Sequence, residues 1–152
     1  MDHIPESTEP GGMFSGLKAW PIFAGAITDI IFTYLFGTIL LFVFLYRKYG
    51  ADIPQEALTN ITIVDDNIVW FSILGFICTM LGGFVGSRMA GSEEIRHGGW
   101  VGAVSLIFSV LMELNTGTGE AYPQWLTIIS VAIVIPAGVL GGYIASAIKK
   151  SD

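Results

Sequence analysis

The fold is decided by the stretch Leu81-Gly82-Gly83-Phe84-Val85-Gly86-Ser87-Arg88-Met89-Ala90-Gly91. Small residues recur in it every four positions on two helical faces: Gly82, Gly86 and Ala90 on one, Gly83, Ser87 and Gly91 on the other. In water each interior glycine would cost a helix about 1 kcal/mol relative to alanine. Inside a bilayer, such faces let a second backbone approach closely and pack. The stretch therefore predicts a tightly packed transmembrane helix.

The composition of the whole chain supports this prediction. Of 152 residues, 53% are hydrophobic and 13% are charged, whereas soluble domains carry about 25% charged residues. Four apolar segments, at about 20–46, 67–89, 98–114 and 122–148, are candidates to cross a hydrocarbon core about 30 Å thick. We predict an all-α membrane protein with four transmembrane helices in the lipid bilayer. A net charge of −6 argues against nucleic acid as a partner.

The polar segments suggest how the chain is divided and oriented. Residues 1–16 are acidic and polar and are expected to form a disordered tail, followed by a four-span domain over 17–152. The first loop is long and contains a predicted short helix at 52–58. With four spans, five Lys and Arg residues share a side with both termini and two lie on the other side. The excess of positive charge predicts cytoplasmic termini in the cell membrane.

Two pairs of segments suggest an internal repeat. Residues 25–30 resemble residues 102–107, and residues 81–87 resemble residues 140–146. They predict two similar two-helix hairpins related by an axis along the membrane normal, although apolar helices also resemble each other by chance. The small residues expected to mediate helix packing are Gly82, Gly83, Gly86, Ala90, Gly98, Gly102, Gly138, Gly141, Gly142 and Ala145.

Asp29 is the sharpest candidate for a functional residue. It lies in the first span among Ile27, Ile30 and Ile31, and a carboxylate inside a membrane is a functional hypothesis by default. Thr28 and Thr33 would form a small polar site with it. A structural role is the alternative, in which a desolvated Asp29 faces the bundle interior and bonds to a Thr or Ser.

Other polar residues carry weaker hypotheses. Arg88 is expected to reach the headgroups or to pair with Glu93 or Glu94. Glu113 resembles an interfacial residue, with a cation site shared with Glu120 as the alternative. The lone Cys78 is expected to be a buried apolar residue.

Patterns typical of enzymes do not occur in the sequence. His3 and His97 lack the spacing of metal ligands, so no metal site is expected. The sequence has no catalytic or phosphate-binding motif. We therefore predict a non-enzymatic protein without catalytic residues or cofactors.

The run from Gly82 to Gly91, followed by His97-Gly98-Gly99-Trp100-Val101-Gly102, resembles a pattern in small prokaryotic integral membrane proteins with four spans. In that family a Gly-Gly-aromatic-aliphatic-small run ends one helix and His-Gly begins the next. The resemblance covers spans two to four well and span one weakly. It implies a fold and no mechanism, since the family has no established activity.

Two functional hypotheses follow from these observations. An accessory or scaffold protein, acting as a subunit of a membrane complex or as a homo-oligomer, fits the glycine-rich helix packing and the absence of catalytic motifs. A small channel or transporter fits the intramembrane carboxylate of Asp29. The two hypotheses disagree on whether Asp29 is structural or functional.

Overall fold

A computed structural model of the chain describes residues 16–59, 65–116 and 124–150. These residues form five helices: α1 (Ala19–Tyr49), α2 (Gln55–Thr59), α3 (Asp65–Ala90), α4 (Glu94–Thr116) and α5 (Gln124–Lys149). No strand occurs within the three described ranges. All except α2 are long and apolar enough to cross a membrane. The prediction of an all-α, multi-pass membrane protein is confirmed, while the predicted tail lies almost wholly outside the described residues.

The helices α1, α3 and α4 extend slightly beyond the segments expected from the sequence. With 31 residues, α1 is about 46 Å long at 1.5 Å per residue, which exceeds the hydrocarbon core. The first turn of α4 takes up residues 94–97, which the sequence assigned to a connection. The remaining turn is tight, with positive φ at Gly91 and Glu93. The helix α5 continues through Pro136.

The four long helices form one bundle in which α3 and α4 each contact the other three. The helix α3 contacts α1, α4 and α5, and α4 contacts both α1 and α5. We call the end that holds Lys18, residues 91–93 and Lys149 the turn end. The opposite end, where α1 and α4 end and α3 and α5 begin, is the loop end.

The contact of α1 with α3 is a backbone contact made possible by glycine. A Cβ atom on Gly82 would lie 2.6 Å from the carbonyl oxygen of Gly25 and 2.8 Å from the Cβ of Asp29. A Cβ atom on Gly25 would lie 2.7 Å from the carbonyl oxygen of Gly82. Only glycine therefore permits this separation of the two helices at these positions.

The helix α5 is packed in the same way against α3 and α4. A Cβ atom on Gly83 would lie 2.5 Å from the carbonyl oxygen of Gly138, and a Cβ on Gly98 would clash with the same oxygen. All the small residues predicted to mediate packing are buried. In contrast, Gly37 and Gly75 have no atom within 4 Å of an added Cβ.

The two hairpins pack in different registers. Gly25 meets Gly82 across the α1–α3 contact, whereas its repeat counterpart Gly102 meets Val134 and Ile135 across the α4–α5 contact. The counterpart of Gly82 is Gly141, which packs against α3. The internal repeat therefore stays a prediction, and the helix contacts do not follow its offsets.

Candidate functional site

Three helices bring a polar side chain to the same depth. At 1.5 Å per residue, Asp29 lies about 15 Å from the start of α1, and Thr79 and Ser105 lie about 16 Å from the turn-end termini of α3 and α4. This distance is half of a hydrocarbon core about 30 Å thick. The site therefore lies near the middle of the membrane-spanning bundle.

The carboxylate of Asp29 accepts hydrogen bonds from two helices. The Thr79 hydroxyl lies 3.2 Å from Oδ1 and 3.1 Å from Oδ2, and the Thr33 hydroxyl lies 3.3 Å from Oδ1. Asp29 is only 5% exposed. Asp29 therefore lies in the interior of the bundle, bonded to Thr79 and to Thr33.

Thr28 does not belong to the site. Its hydroxyl donates to the carbonyl oxygen of Ala24 on its own helix, at 2.8 Å. A threonine hydroxyl in a helix commonly bonds the carbonyl four residues earlier, and this local bond needs no partner from the bundle. Of the polar neighbours predicted on α1, only Thr33 reaches Asp29.

Ser105 is a buried hydroxyl without a hydrogen-bond partner. The residue is 4% exposed, and its Oγ is the unpaired atom of the site. A buried polar group left unpaired costs about 1–3 kcal/mol. The acceptor next to this hydroxyl is the carboxylate of Asp29, although no bond of ordinary hydrogen-bond geometry joins the two groups.

A cavity of about 190 Å³ connects these groups. Its polar floor is formed by Asp29, Thr79 and Ser105. Its mouth lies between α1 and α4 toward the loop end, where Tyr34 and Met112 are 59% and 36% exposed. The remaining lining residues are Ile30, Thr33, Phe108, Ser109 and Val134. The cavity thus places a carboxylate below a mostly apolar mouth that also carries the exposed hydroxyl residues Thr33 and Ser109.

The bundle is closed between this cavity and the turn end. Gly25, Gly82 and Gly86 meet there with their backbones in contact, and the side chain of Val101 fills the space beside them. Val101 is fully buried. The close packing of these residues separates the cavity from the turn end.

Asp29 has no cationic partner among the residues that the structure describes. The seven Lys and Arg residues all lie near helix ends, at positions 18, 47, 48, 88, 96, 149 and 150. An unpaired carboxylate is expensive at this depth. Within the described residues, the carboxylate is therefore held by the hydroxyls of Thr79 and Thr33 and not by an ion pair.

A second polar cluster, at the turn end, was missed from the sequence. The backbone N–H of Lys18 donates to Nε2 of His97 at 2.9 Å, and Nδ1 of His97 lies 3.0 Å from the carbonyl oxygen of Glu93. This geometry requires the Nδ1–H tautomer. The fully buried His97 joins the start of α1 to the turn between α3 and α4. Lys149 adds a bond to Gly91 O and an ion pair with Glu94, both at 2.6 Å.

The remaining candidates do not assemble into sites. Glu93 forms an ion pair with Arg96, and Glu94 forms one with Lys149. The expected pairing of Arg88 with Glu93 or Glu94 is not among these ion pairs of the described residues. Glu113 is half-buried, while Glu120 lies outside the described residues. Cys78 is buried and free. No group of His, Cys, Asp and Glu that could hold a metal ion occurs within the described part of the chain.

Comparison with protein-family models, curated proteins and solved structures gives no match. The fold and the site describe a multi-pass helical membrane protein with a buried carboxylate that lines a cavity. The resemblance to four-span prokaryotic membrane proteins stays a prediction from the sequence.

Proposed function

We propose that this protein is a small membrane transporter that binds a proton or a cation at Asp29. The observation that carries the proposal is the cavity itself, in which a carboxylate without a cationic partner lies at the end of a pocket open on one side. A structural role would account for the bonds with Thr79 and Thr33 but not for the cavity beside them. The arrangement suits reversible binding and does not call for covalent catalysis.

The closed turn-end half favours a carrier over an open channel. Backbone contacts among Gly25, Gly82 and Gly86 leave no space for an ion beside Val101. A bound ion would cross only if these helices separated, as in alternating access. The excess of Lys and Arg at the turn end, five residues against two, supports a cytoplasmic turn end, so the cavity would load from outside the cell.

An accessory or scaffold protein is the second candidate. In the apolar stretch of α1, only 6% is buried inside the bundle, against 28% in each of the other three spans. The helix α1 therefore offers a free apolar surface to lipid or to a partner. The buried glycines pack against other helices of the same chain. A homo-oligomer or complex would therefore use the exposed side of α1.

A liposome flux assay tests the transporter proposal. Purified protein is reconstituted with a pH-sensitive dye inside, and an inward proton gradient is applied with potassium and valinomycin to balance charge. We expect dye acidification that is lost in Asp29→Asn, because this change removes the titratable charge at nearly constant volume. Glu113→Gln is the matched control, since Glu113 lies outside the cavity lining, and it should behave as wild type.

The second candidate makes the opposite prediction. A scaffold should co-purify from native membranes with a stoichiometric partner, equally in wild type and in Asp29→Asn. Acidification that is equal in wild type, Asp29→Asn and empty liposomes would reject the transporter proposal.

A further inference from the structure

We infer that the Asp29 cavity binds a small organic ammonium ion with an apolar body. The inference rests on the proposed function and names the class of ligand at the same site. Two observations support it. The cavity combines the carboxylate of Asp29 with mostly apolar lining residues, and the hydroxyl of Ser105 has no hydrogen-bond partner.

The floor matches the donors of an ammonium group. The carboxylate of Asp29 has lone pairs left after its bonds with Thr79 and Thr33, and the Ser105 hydroxyl has no partner. An alkylammonium carries three N–H donors and one positive charge. It would neutralise the carboxylate and give Ser105 the hydrogen bond that it lacks, and charge-assisted bonds of this kind are the strong ones.

The wall matches an apolar body. Ile30, Met112 and Val134 line the cavity together with the rings of Tyr34 and Phe108. An alkyl chain placed there gains from burial, and aromatic faces also attract organic cations. An alkali ion would instead have to lose most of its hydration shell against apolar walls.

The volume sets the size of the ligand. A cavity of about 190 Å³ has room for a ligand of a few heavy atoms. n-Butylammonium, a four-carbon chain with a terminal ammonium group, is of this size. We therefore choose n-butylammonium as the probe.

The test compares probes that separate charge from apolar body. Full-length protein in nanodiscs is titrated with n-butylammonium chloride, with n-butanol and with NaCl, and the thermal unfolding midpoint is followed by tryptophan fluorescence. A ligand that binds only the folded state raises this midpoint as its concentration rises. We expect a rise with n-butylammonium only, and an apparent affinity weakened about tenfold or more in Asp29→Asn.

Ser105→Ala gives a second readout that does not depend on Asp29. It should weaken n-butylammonium binding by about threefold to tenfold. The control Ser72→Ala should not weaken it, because Ser72 donates to Ile68 O of its own helix and lies outside this cavity.

The results distinguish failure of the ligand class from failure of the proposed function. Three results would overturn the inference. The unfolding midpoint could rise equally with NaCl or n-butanol, it could fail to rise with n-butylammonium, or it could rise equally in Asp29→Asn. If Asp29-dependent proton flux persisted in liposomes in those cases, the transporter proposal would stand without this ligand. Loss of both signals would reject both.

Discussion

The hydroxyl of Thr79 on α3 bonds both carboxylate oxygens of Asp29 on α1, at 3.2 Å and 3.1 Å. This contact exists because Gly82, one turn away on α3, lets the backbone of α1 come close at Gly25 and Asp29. The glycine packing and the polar site are therefore one arrangement. A change in the packing should change the site.

We expect Gly82→Ala to destabilise the protein by about 1–3 kcal/mol, the usual cost of overpacking. Its Cβ would lie 2.6 Å from Gly25 O and 2.8 Å from the Cβ of Asp29, so α1 must move. Thermal unfolding in detergent measures the effect. Gly75→Ala is the matched control on the same helix, where an added Cβ meets nothing within 4 Å. If the two variants unfolded at the same temperature, close glycine packing between α1 and α3 would be refuted.

Thr79→Val should destabilise the protein by about 1–2 kcal/mol, because it removes the hydrogen bond from α3 to Asp29 at nearly the same volume. Thr38→Val is the control, since the Thr38 hydroxyl is exposed and bonds only Tyr34 O of its own helix. Equal unfolding temperatures for these two variants would contradict a structural contribution from the Thr79–Asp29 bond.

Ser105→Ala should leave the ligand-free protein as stable as wild type or slightly more stable. The hydroxyl is buried without a partner, so its removal relieves a cost and breaks no bond. Unfolding temperature measured without added ligand checks this. A clear loss of stability, comparable with that of Thr79→Val, would indicate that Ser105 has a structural bond.

His97→Leu should loosen the start of α1. The substitution leaves the Lys18 backbone N–H without its acceptor, at a cost of about 1–3 kcal/mol. Hydrogen–deuterium exchange should rise in peptides covering residues 17–24. The control Arg96→Ala breaks an exposed ion pair with Glu93, worth about 1 kcal/mol or less, and should leave this exchange nearly unchanged. Equal exchange in the two variants would contradict the role given to His97.

The sequence predicted the number of spans, the buried small residues and the interior position of Asp29. Each depends on local composition: an apolar length, a spacing of glycines, a charge among isoleucines. Thr79 and Ser105 were missed because their place in the site depends on which faces of α3 and α4 turn toward α1. Counting residues inward from the turn end of each helix would have put both at the depth of Asp29.

The role of His97 was missed for a related reason. A lone histidine beside Arg96 carries no spacing signal, and its partners are backbone groups of Lys18 and Glu93. Backbone partners leave no pattern in the sequence. Thr28 was wrongly grouped with Asp29 because adjacency along a helix does not decide where a hydroxyl points; its bond to Ala24 O is local.

The central claim is that the cavity at Asp29 is accessible from the loop end and closed toward the turn end. Cysteine labelling tests it most directly. In a Cys78→Ala background, Ser109→Cys and Val101→Cys are reconstituted in liposomes and exposed to a charged, membrane-impermeant methanethiosulfonate reagent. Both positions lie on α4, on either side of Ser105; Ser109 lines the cavity and Val101 lies in the closed half.

The account predicts that Ser109→Cys reacts from the side of the loop end and that Val101→Cys stays unmodified from both sides. An unreactive Ser109→Cys, or a Val101→Cys that reacts as fast as Ser109→Cys, would contradict it.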